Sequence, residues 1–163
     1  MKMKIKNAIF VIIRILMVAA LIGAVVFFVF LKQQESKVPF TDVKNQLTAA
    51  VSSDRMELST ARFLKKYYGL NADDYDGVLL YAPLTNMDAE ELLLIKCKDA
   101  SQVESVKEAI LERQKTKETT FEGYAPEQYD LCRNYILDEQ GTYLFLIISP
   151  DAEELDKVFK DSL

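Results

Sequence analysis

Histidine is absent from the 163 residues, so any chemistry this chain attempts must come from carboxylates, thiols, lysines and tyrosines. That removes the commonest general base, the commonest metal ligand and the only side chain whose ordinary pKa lies near neutrality. Cys97 and Cys132 lack the histidine partner that would activate either as a nucleophile. In an oxidising compartment they can join in one disulfide, and as small apolar side chains they can equally be buried. Carboxylates pair at Glu90–Glu91 and at Glu118 with Glu122. Glycosidic chemistry needs two carboxyls set across a cleft at a defined separation, which spacing along a chain does not provide. The segment Asn71-Ala-Asp-Asp-Tyr-Asp-Gly77 has the look of a calcium loop. With Gly77 as the turn glycine, however, the first ligand position falls on Ala72 and the twelfth on Pro83, where a bidentate glutamate is required. It reads as a polar turn. No Gly-x-Ser-x-Gly, Ser-x-x-Lys or glycine-rich phosphate loop is present. The residue types therefore predict no catalytic set, no cofactor and no metal site.

Binding chemistry has a better candidate. Phe121, Tyr124, Pro126 and Tyr129 place three aromatic rings and a proline within nine residues. On a loop they offer large, rigid contact area for a partner. The alternative is that the same rings plug the end of a sheet and fix the loop in place.

Hydrophobic periodicity shows what must position these residues. Thr41-Asp42 suits the start of a helix with Val43, Leu47 and Val51 on one face, interrupted at Ser52-Ser53-Asp54. A second helix is predicted from about Thr60, with Phe63, Leu64, Tyr67 and Tyr68 apolar and Gly69 as its C-terminal cap. Val78 to Ala82 and Glu91 to Lys98 read as strands, the second half of the latter alternating like a half-buried strand. From Asp99 or Ser101 a long amphipathic helix turns Val103, Val106, Ile110 and Leu111 inward and fades after Lys117. Pro126 opens a short helix through Leu131. Tyr135 to Leu137 and Tyr143 to Ile148 are strands joined around Asp138-Glu139-Gln140-Gly141, and the last helix carries Leu155, Val158 and Phe159. The order ααββααββα predicts an α+β domain: an antiparallel sheet of about four strands with helices on one face.

Ahead of this domain runs an apolar stretch from Ala8 to Leu31, broken only by Arg14. About 20 apolar residues suffice to span a bilayer. A cleaved secretory signal would have an apolar region of about 7–15 residues, so the run predicts an uncleaved signal anchor. Arg14 lies six residues past Ala8, about 9 Å at the helical rise, within reach of the headgroups by snorkelling. Lys2, Lys4 and Lys6 precede the span with Arg14 in its first turns, which keeps the N-terminus inside and the C-terminal domain outside. The organisation expected is a basic cytoplasmic tail over 1–7, the anchor over 8–31, a stalk over 32–40 and the extracytoplasmic domain over 41–163. Of the 20 bases four come before the stalk, leaving 16 against 25 acids and a net charge of −9 from residue 32 onward. Such a surface repels nucleic acid and anionic lipids or wall polymers, and suits a basic partner or a divalent cation lying between two anionic surfaces.

Four segments resemble a known family. They are Phe63 to Gly69 (Phe-Leu-Lys-Lys-Tyr-Tyr-Gly), Ala89 to Ile95 (Ala-Glu-Glu-Leu-Leu-Leu-Ile), Phe121 to Tyr129 (Phe-Glu-Gly-Tyr-Ala-Pro-Glu-Gln-Tyr) and Gly141 to Asp151 (Gly-Thr-Tyr-Leu-Phe-Leu-Ile-Ile-Ser-Pro-Asp). Together they are similar to the exported bacterial domains grouped as domain of unknown function 4358. The resemblance implies an extracytoplasmic location and supplies no activity and no catalytic residues. Members are often lipoproteins, so a transmembrane anchor is a departure. The function expected is a non-catalytic interaction module at the cell envelope whose partners are the membrane and another envelope protein. A small-ligand receptor is the alternative, and an enzyme using carboxylates stands behind both.

Overall fold

A computed structural model of the protein describes residues 14–25, 38–52 and 54–163. The chain divides into two units between Gln34 and Glu35. In the first, residues 14–25 are helical and exposed, Arg14 included. Among the described residues no helix is long and apolar enough to cross a membrane. Apart from 14–25, the expected span over 8–31 lies outside the described residues, as do Lys2, Lys4 and Lys6.

In the second unit the chain begins with helix α1 (Phe40–Ala50), which buries Val43 and Leu47 one turn apart. After the Ser52 interruption comes a three-residue strand, β1 (Met56–Leu58). Helix α2 (Ala61–Tyr68) follows and ends where Gly69 takes φ +70°, a left-handed cap that favours glycine. Strands β2 (Gly77–Pro83) and β3 (Glu91–Lys96) come next, then the long helix α3 (Val103–Phe121). Helix α4 (Pro126–Arg133) carries proline at its first position, where no amide donor is lost. Strands β4 (Ile136–Gln140) and β5 (Tyr143–Ile148) form a hairpin turned by Gly141-Thr142, and helix α5 (Ala152–Asp161) ends the fold.

All five strands join one antiparallel sheet in the order β1-β2-β3-β5-β4. The α+β class therefore holds, while two finer expectations need correction. The sheet has five strands rather than about four, because Met-Glu-Leu at 56–58 is too short to show a period that would announce a strand. Helices cover both faces rather than one. Leu93, Ile95, Leu144 and Leu146 pack beneath α2, α3 and α4, while Leu92, Leu94, Phe145 and Ile147 pack beneath α1 and α5. Strands buried on both faces read as unbroken apolar runs, and Leu-Leu-Leu-Ile in β3 and Tyr-Leu-Phe-Leu-Ile-Ile in β5 are such runs. On the second face Phe159 of α5 stacks on Phe145 at 4.8 Å between ring centres. Burying a side chain of that kind contributes about 1.5–3 kcal/mol. The β4 strand also runs three residues past its expected end at Leu137, so Asp138 to Gln140 lie in the ladder and not in the turn.

Candidate interaction surface

The four residues of the aromatic loop part company. Phe121, the last residue of α3, is 3% exposed and belongs to the core under α2, α3 and α4. Gly123 takes φ +71° and turns the chain outward. Tyr124 is then 64% exposed, its hydroxyl directed at the Met87 sulfur 3.2 Å away on the β2–β3 loop. Pro126 is exposed at the start of α4, and Tyr129 is half-buried against the core with the Arg133 guanidinium 5.8 Å from its ring centre. One ring is thus buried in the core, one lies against it, and one stands out beside Met87, itself 54% exposed. Leu84, on the same β2–β3 loop, is also exposed.

Behind this loop lies a cluster that sequence reading passed over. Glu91 opens β3 with its side chain fully buried. Its carboxylate accepts from the Tyr68 hydroxyl, from Arg113 Nε at 3.2 Å and Nη2 at 2.8 Å, and from Lys117 Nζ at 2.9 Å. Lys117, 4% exposed at its side chain, also donates to the Ala89 carbonyl at 2.6 Å. Gln128 of α4 accepts from the Ala89 amide at 2.7 Å, and Gln114 donates to the Cys132 carbonyl. The Arg113 guanidinium lies 4.5 Å from the Tyr67 ring centre, and Tyr67 meets Phe63 at 4.2 Å. Burial alone would raise the Glu91 carboxyl, but the Lys117 ammonium and the Arg113 and Tyr68 hydrogen bonds outweigh it and hold it down to about 2. Burial pushes the Tyr68 hydroxyl well above the usual phenol range, and the Glu91 charge adds to this. The Lys117 ammonium is lowered by burial against the pull of Glu91.

A signal for this cluster was present. The buried positions of α3 are Val103, Val106, Ile110, Gln114, Lys117 and Phe121, three or four apart throughout. The inward stripe therefore does not fade after Lys117 but runs on to Phe121, with Leu111 exposed beside it rather than inward. Gln114 and Lys117 within it are polar, and polar residues on a buried stripe demand partners.

The remaining candidates separate. Glu90 points to the opposite face from Glu91, the neighbouring Leu92 and Leu93 dividing in the same way between the two cores. Glu118 is half-buried near the end of α3 and Glu122 is exposed just beyond it. Asn71 to Gly77 folds as a short 3-10 turn leading into β2, tied down by Lys98 Nζ on the Asp73 carbonyl at 2.9 Å and Gln102 on the Asp74 carbonyl at 3.1 Å. Among the described residues no three or more Asp, Glu, Cys or His side chains gather as a metal ion would need. Cys97 and Cys132 are both buried free thiols, and burial pushes each up to about 11.

The family described as Domain of unknown function (DUF4358) matches residues 49–149, more than half of the chain. The chain belongs to that family. The DUF4358 match runs from the end of α1 through β5, so α5 and most of α1, which cover the second face, lie outside it. Three of the four segments that carry the resemblance meet in the Glu91 cluster: Tyr68 in the first, Ala89 and Glu91 in the second and Gln128 in the third. No curated protein and no solved structure matches the chain.

Proposed function

We propose that this DUF4358 protein is a single-span, membrane-anchored module with its domain outside the cell, holding another envelope protein through the surface around Tyr124. The observation that carries the reading is the Tyr124–Met87 pair: two large, flexible-to-aromatic side chains from different loops, in contact and more than half exposed. Exposed tyrosine and methionine are favoured at protein interfaces, where one gives rigid area and the other adapts its shape. Phe121 and the Glu91 cluster beneath hold the loop from behind, so little order need be gained on docking. The apolar run from Ala8 to Leu31 and the lysines ahead of it support the anchor and its orientation. Confinement to a membrane raises the effective concentration toward a partner in that membrane, so a modest surface is enough. No catalytic role is assigned to Glu118 or Glu122.

The test is crosslinking in intact cells with the full chain and with the Tyr124→Ala/Met87→Ala double variant. The expected result is one discrete membrane-protein adduct that the double variant loses while its domain stays folded. An adduct of equal yield with the variant, or no discrete adduct with the native chain, overturns the reading.

A further inference from the structure

On the α1 and α5 face, at the sheet end that carries the β2–β3 loop, the domain has a cavity of about 210 Å³. The pairing registers explain its floor. Met56 of β1 sits opposite Pro83 of β2. Continuing the β2–β3 and β3–β5 registers by one or two residues brings Glu90 and Ser149 into the same row. Met56, Glu90 and Ser149 all line the cavity, with Ala50 from the end of α1 and Leu155 from α5 as its apolar walls. Asp54, Arg55 and Asp151 complete its charged lining.

Beside the cavity the sheet has an edge that no other described strand pairs with. The Ser59 amide donates to the Leu80 carbonyl at 2.8 Å, and the Leu84 amide donates to the Arg55 carbonyl at 3.1 Å. These bonds fix the phase of the ladder: residues 55, 57 and 59 direct their main-chain groups toward β2. Met56 and Leu58 therefore direct theirs outward, where they meet no partner among the described residues. Leu58 is also 63% exposed. An unpaired edge of this kind is a template for another strand.

We propose that the free edge of β1 and the cavity next to it form one site for an extended segment of a partner protein carrying a lysine or arginine. The segment's main chain pairs with Met56 and Leu58, and its basic side chain enters the cavity. Size supports a side chain as the occupant, since drug-sized ligands need about 300–1,000 Å³. Charge decides its sign. Asp54, Glu90 and Asp151 bring three carboxylates, against the Arg55 guanidinium and about half a positive charge from the start of α5. The balance favours a cation and disfavours phosphate or carboxylate. Glu90 is 8% exposed at its side chain and is held by Arg55 at 3.3 Å, longer than a good charge-assisted bond of about 2.7–2.9 Å. Burial raises the Glu90 carboxyl above its ordinary range, and Asp151 and Asp88 add to this against Arg55. A second cation would relieve that strain on the charge. The site is independent of Tyr124, so either can fail without the other.

The experiment is selection of a displayed library of random ten-residue peptides on the full chain in detergent micelles, with binders to empty micelles removed. The expected outcome is enrichment of a lysine or arginine flanked by β-branched or aromatic residues. Recovered peptides should bind Glu90→Gln at least tenfold more weakly, and Tyr124→Ala with unchanged affinity. Leu58→Pro, which removes only an outward-facing amide, should abolish binding. Should Leu58→Pro unfold the domain, a recovered peptide N-methylated at the residues flanking its basic side chain makes the same test from the other side, and should not bind. No enrichment, enrichment without a basic residue, full binding to Glu90→Gln, or full binding by the N-methylated peptide each overturns the proposal.

Discussion

The Glu91 carboxylate and the Lys117 ammonium lie 2.9 Å apart with side chains 0% and 4% exposed, joining the first residue of β3 to the last turns of α3. Arg113 reaches the same carboxylate from one helical turn earlier. One buried anion therefore faces two cations, and the Tyr68 hydroxyl fills out its shell. A pair removed from water this fully recovers its desolvation cost only when every hydrogen bond is made, so it specifies how α2, α3 and β3 fit together more than it adds net stability.

Removing the anion alone is accordingly expected to be severe. Glu91→Gln leaves Lys117 and Arg113 buried without their counter-charge and should cost about 3–5 kcal/mol in urea unfolding. Tyr68→Phe removes one hydrogen bond to a charged group and should cost about 1.5–3 kcal/mol. A Glu91→Gln loss under about 1 kcal/mol would mean that water reaches the cluster.

Acid should act through the same group. The folded Glu91 carboxyl sits near 2, below its ordinary 4.5, so the folded state holds this proton less tightly than the unfolded chain. Its stabilisation is complete above about pH 4.5 and is lost as pH falls toward 2, by about 3 kcal/mol in all. Stability curves of the native chain and of Glu91→Gln should therefore converge between pH 4.5 and 2, and parallel curves would contradict the assignment.

Cys97 and Cys132 should be inert in the folded state. Each is buried and each thiol is pushed up to about 11, which leaves almost no thiolate at pH 8. A thiol-reactive chromophore should modify neither at native conditions and both in denaturant, and reductant should leave the melting temperature unchanged. Rapid modification of either residue in the folded chain would count against this.

Gly77 opens β2 directly against the Phe40 ring at the start of α1, and an added Cβ would run into that ring. Gly77→Ala should cost about 1–3 kcal/mol through overpacking. In Phe40→Leu the same change should cost markedly less, and a double-mutant cycle reports the difference as coupling between α1 and the sheet. Equal costs in both backgrounds would show that the two sites do not touch.

Much of the fold was legible in the sequence because it is written in local periods. Gly69 stops α2, Pro126 starts α4 and the 3.6-residue stripe of α3 is present from Val103 on. Strand β1 escaped because three residues carry no period, and it is held by β2 rather than by its own pattern. The second helical layer escaped because an unbroken apolar run such as Leu92 to Ile95 says that a strand is buried but not by what. The aromatic loop was found as a segment, yet nothing in Phe121, Tyr124 and Tyr129 as residue types says which ring turns inward; Gly123 at φ +71° decides that.

What the sequence by itself determined is what depends on composition and on near neighbours: the order of most elements, the acidic balance beyond the apolar stretch, the lack of histidine chemistry and the segments that place the chain in its family. Only the tertiary structure decided which distant residues meet. Glu91 is 22 positions from Arg113 and 26 from Lys117, and the row Met56–Glu90–Ser149 spans nearly a hundred residues. Such meetings are set by strand register and helix packing, which the whole core fixes at once through the burial of both sheet faces.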